Sequence, residues 1–125
     1  MVCEHKPMKK VDKKYFNEFK KWCIYYHKEL ANDTHLVVLF EKLQEGYIAN
    51  CEMSNSRMMI IKLNNEYDEF LPDMKTIALE EVLHGVLWDL SFILENYYSF
   101  RFVEKTEHIA LNKLKNFITK LEMRK

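Results

Sequence analysis

Two glycines and two prolines in 125 residues leave no room for a glycine-rich phosphate loop. There is no excess of charge of either sign. The 19 lysines and arginines match 19 aspartates and glutamates, for a formal net charge of zero. A protein that holds nucleic acid electrostatically needs a basic surplus, so no nucleic-acid partner is expected. The three cysteines, Cys3, Cys23 and Cys51, are far apart and form no C-x-x-C pair. An odd, sparse count fits reduced thiols in a cytoplasmic protein. The first residues, MVCEHKPMKK, carry no apolar core of the kind a signal peptide has. The most apolar run, residues 86–94, is broken by Asp89 and Ser91, so no transmembrane helix and no membrane partner are expected. No internal repeat or low-complexity segment is present.

What is there is a chain with 48% hydrophobic and 14% aromatic residues, enough for one packed domain. Residues 1–11, with Cys3 and His5, read as a flexible N-terminal arm, and 12–125 as a single domain. Asp12 can cap a helix running to Leu30, with Tyr15, Phe16, Phe19, Trp22, Cys23, Tyr26 and Leu30 on one face. The period then changes to that of strands. Residues 34–41 are β-branched and apolar, residues 47–54 alternate with one polar-leaning face (Ile48, Asn50, Glu52, Ser54), and residues 57–63 form a third apolar run. The last two read as a hairpin and the three as a small, mainly antiparallel meander. Residues 64–72 form a polar connector. Asp73 caps a central helix, residues 95–102 read as an aromatic loop, and a last helix spans 104–122. The expected class is α+β.

The chain is organised around residues 77–94, IALEEVLHGVLWDLSFIL. Apolar residues from Leu79 to Leu94 recur at steps of three and four, in a stripe wide enough to be buried on most sides. Inside it stand Glu80, Glu81 and His84. Such groups are costly in a buried helix unless paired or ligating. Glu80 and His84 are four apart and share a face. Trp88 reads as core packing and Asp89 as helix surface. Tyr97, Tyr98, Phe100 and Phe102 make an aromatic cluster that reads either as core or as an anchor for a partner.

The string Ala78-Leu79-Glu80-Glu81-Val82-Leu83-His84-Gly85-Val86-Leu87 resembles the A-x-H-E-x-x-H-x-x-L helix of small zincin-like metallopeptidases of bacteriophage and prophage type. The final helix, opening Glu107-His108-Ile109-Ala110, is similar to theirs. The resemblance covers about residues 12–122 and implies a minimal zincin-like domain. It also implies that His84 is a metal ligand, that Glu81 is the general base acting on a metal-bound water, and that Glu107 or His108 is a third ligand, with Glu104 close by in the sequence. Glu80 stands where the first histidine of the motif belongs. A carboxylate there shifts the preference from zinc towards harder divalent ions. Two functions follow. One is a metal-dependent peptidase, active or degenerate. The other is a non-catalytic module that binds a protein or peptide, such as a phage-encoded inhibitor of a host protein in the bacterial cytoplasm.

Overall fold

A computed structural model describes residues 9–54, 56–67 and 72–124. Residues 1–8, with Cys3 and His5, lie outside the described residues, as does the side chain of Asp89. The inner end of the expected arm is tied down. Strand β1 (Lys9–Lys10) pairs antiparallel with β5 (Glu66–Tyr67), and the Val11 N–H donates to the Asn65 carbonyl at 2.8 Å.

The first helix, α1 (Lys13–Leu30), starts where expected because the Asp12 carboxylate accepts from the Lys14 N–H. Its aromatic stripe faces inward: Phe19, Cys23 and Tyr26 are buried, and Phe16 stacks on Phe40 with ring centroids 4.8 Å apart. The second helix, α2 (Met74–Glu95), is capped by Asp73. The third, α3 (Phe100–Met123), begins four residues before the expected position. The Ser99 hydroxyl caps it by accepting from the Phe102 N–H, which leaves only residues 96–99 as a turn. The aromatics read as a loop are thus divided between this turn and the first turn of α3.

The main sheet is made of β2 (His35–Glu41), β3 (Ala49–Met53) and β4 (Met58–Asn64), in the order β2-β4-β3. The class is α+β, but the expected meander is not formed. The β3–β4 hairpin is antiparallel, with Cys51 opposite Ile61, whereas β2 runs parallel to β4, with Val37 opposite Ile60. A short connector suggested that β2 and β3 would be neighbours. Instead β4, the most buried of the three, takes the centre, where both of its edges are bonded. Its residues Met59, Ile61 and Leu63 are wholly buried under the helices.

Helices α1 and α2 cover one face of this sheet, and α3 packs along α2. Gly85 allows the close approach: a Cβ there would stand 2.4 Å from Met59 Cε and 3.2 Å from Cys51 Sγ. Buried Ala78, Leu79, Val82 and Leu83 carry the first half of α2. The second half departs from expectation, because Val86, Leu90 and Ile93 are exposed and only Leu87 and Leu94 are partly covered. The stripe is continuous in sequence, but the packing elements do not reach its end.

Candidate functional site

Helices α2 and α3 form an antiparallel hairpin joined by side-chain links along its length. Lys75 Nζ lies 2.6 Å from Glu122 Oε2, Lys115 Nζ 2.8 Å from Glu80 Oε1, and His84 Nδ1 3.0 Å from Glu107 Oε1. These pairs step along the hairpin in opposite directions, as the pairing requires. The Ser91 hydroxyl donates to the other Glu107 oxygen at 2.9 Å. One half-buried carboxylate therefore holds two residues of α2, one on each side of helical position 88. Glu107→Ala removes both bonds and leaves His84 and Ser91 unpaired, at a cost of about 2 kcal/mol. The expected drop in melting temperature is about 8 °C. Adding His84→Ala should cost less in that background than in the wild type, which a double-mutant cycle will read directly.

The hairpin and β3 enclose a cleft of about 470 Å³. Glu81, His84, Ser91 and Glu95 enter it from α2, Glu107 and His108 from α3, and Asn50 and Cys51 from β3. The His84 and His108 rings meet edge to face at 6.0 Å between centroids. Burial pushes the Glu81 carboxyl up to about 8, helped by the negative charge of Glu80 beside it, so Glu81 is mainly a neutral acid at pH 7. Burial, followed by the charge of Glu81, also raises the Cys51 thiol, which makes it a poor nucleophile. Asn50 has a buried Oδ1 with no hydrogen-bond partner among the described residues.

Of the residues singled out in the sequence, Glu81, His84, Glu107 and His108 come together here. Glu80 does not, because Lys115 holds it outside the cleft, and Glu104 is exposed on α3. Trp88, read as core packing, is 41% exposed and lines the cleft. Ser91 and Glu95 were missed, although their steps of seven and eleven from His84 put them on its helical face. The polar face of the second strand was a fair pointer to Asn50. Nothing in the local pattern signalled Lys115, which meets Glu80 across 35 positions.

The donor set that the resemblance implies does not fit a zinc ion. Glu80 is engaged by an ammonium group and both Glu107 oxygens are taken. Among the described residues no three His, Cys, Asp or Glu side chains are grouped to hold a metal. The same residues, with Glu81 and Glu107 beside two histidines, remain suited to hydrogen bonding and to binding a charged group. No protein-family model, curated protein or solved structure matches the chain.

Proposed function

We propose that this chain is a non-catalytic protein-binding module, built on a zincin-like helix whose metal chemistry has lapsed, and that its cleft receives a segment of a partner protein. The observation that carries this reading is the Lys115–Glu80 ion pair at 2.8 Å. The helix position where a first metal ligand would stand is occupied by a carboxylate already neutralised by a lysine from α3. Around the cleft, Trp88, Phe92 and Phe100 stand open to solvent, as anchor sites of binding surfaces do. On the resemblance to prophage chains, the partner is a protein of the host cell.

A second reading, a metal-dependent peptidase with Glu81 as general base, draws support from the convergence of His84, Glu107, His108 and Glu81 on one cleft. Elemental analysis separates the two. Untagged protein from zinc- and manganese-supplemented medium should carry only substoichiometric metal, unchanged by His84→Ala, and should hydrolyse no peptide. Stoichiometric metal that His84→Ala removes, together with hydrolysis that Glu81→Gln abolishes, overturns the proposal in favour of the peptidase.

A further inference from the structure

We propose that the cleft is a receptor for a cationic side chain, a lysine or arginine presented by the partner segment. This rests on the protein-binding reading above and names the chemistry of its ligand. Four aromatic rings wall the cleft: Tyr47, Trp88, Phe92 and Phe100, which are 53%, 41%, 64% and 65% exposed. Rings of this size normally bury most of their surface. Here they are left bare around one cavity of about 470 Å³, within the size range of sites that enclose a small ligand.

Besides His84 and His108, the charge-bearing side chains among the described residues that line the cleft are three glutamates. Among the described residues that line it, none is lysine or arginine. Of its three carboxyl groups, Glu107 is committed to His84 and Ser91 and Glu81 is held mainly neutral by burial, which leaves Glu95 as the carboxylate with no cationic partner among the described residues. One free carboxylate, Glu95, thus stands beside four open rings. The unbonded Oδ1 of Asn50 adds an acceptor whose desolvation precedes any ligand.

These features select among ligands. An anion would meet the Glu95 carboxylate. A purely apolar side chain would fill the aromatic walls but strip water from Glu95 without compensation. A cation is attracted by the negative faces of the rings and forms a charge-assisted hydrogen bond with the Glu95 carboxylate. The methylene stem of lysine or arginine packs on the rings while its charged head reaches the acids.

The test uses the full chain and pentapeptides acetyl-Gly-Gly-Xaa-Gly-Gly-amide, with Xaa lysine, arginine, norleucine or glutamate. Binding is followed by the indole N–H resonance of Trp88, identified by its loss in Trp88→Phe. The lysine and arginine peptides should shift it saturably and bind about tenfold tighter than norleucine, with glutamate not binding. Glu95→Gln should weaken the lysine peptide about fivefold and leave norleucine unchanged, whereas Glu104→Gln, outside the cleft, should alter neither. Norleucine binding as tightly as lysine overturns the cation receptor but leaves the protein-binding reading standing. No shift with any peptide, or no effect of Glu95→Gln, also overturns it. Failure of the protein-binding reading itself shows separately, as metal-dependent hydrolysis.

Discussion

Between about pH 5 and about pH 9 the protein should melt at progressively lower temperature, and Glu81→Gln should remove most of that decline. The Glu81 carboxyl ionises near 4.5 in the unfolded chain and at about 8 in the folded one. Below the lower value both states hold the proton and Glu81 imposes no penalty. As the pH rises from there, the unfolded chain gives up its proton while the folded chain retains it, so each step favours unfolding. Above about 8 the folded protein carries a buried carboxylate and the penalty is complete. Its size is on the order of 3–5 kcal/mol. Glutamine copies the neutral acid in shape and polarity. The variant should match the wild type near pH 5 and melt about 12–20 °C higher near pH 9. Thermal melts of both proteins across this range will check this. Parallel pH profiles would mean that Glu81 is solvated and ionised at neutral pH.

The second large effect is expected at Asn64, the only polar side chain in the core among the described residues, 1% exposed at the end of β4. Its Oδ1 accepts from the N–H groups of Leu43 and Glu66 at 3.1 and 3.0 Å, and its Nδ2 donates to the Tyr47 carbonyl at 2.7 Å. One side chain thus closes both the β2–β3 connector and the turn into β5. Asn64→Ala leaves three backbone groups without partners in a place where water cannot easily serve them. A loss of about 3–5 kcal/mol is expected. Chemical denaturation will measure it, and amide exchange should show the opening first at Leu43 and Glu66. Asn64→Asp keeps the acceptor but buries a charge beside the Tyr47 carbonyl, so it should not rescue. Tyr47 is one wall of the cleft, so both variants should also weaken binding of the lysine peptide.

How far these features were legible in the sequence depends on whether a signal is local. Asp12 and Asp73 announced their helices because a cap is read within three residues. Glu107 and His108 were found because helical periodicity and the motif both pointed to the last helix. The partner of Glu80 was not legible, because Lys115 is one of many surface-patterned lysines and only the hairpin register selects it. The start of α3 was missed because Phe100 and Phe102 broke the expected amphipathic pattern, and a serine cap overrode them. The exposed end of α2 was missed because periodicity reports which residues share a face and not whether anything covers it.

The central position of β4 has a consequence for the order of assembly. In the main sheet, β2 and β3 are bonded only to β4 and not to each other. On the ribosome they emerge first, each with two free edges and no native partner. They are joined by a short connector, which makes contact between them the cheapest closure available. The β2–β3 meander suggested by the sequence pattern is therefore the nearest competing pairing, and the native order requires β4 between the two strands. A slow phase in the refolding of the full chain, as β2–β3 contact gives way to β4, is the kinetic signature of this topology.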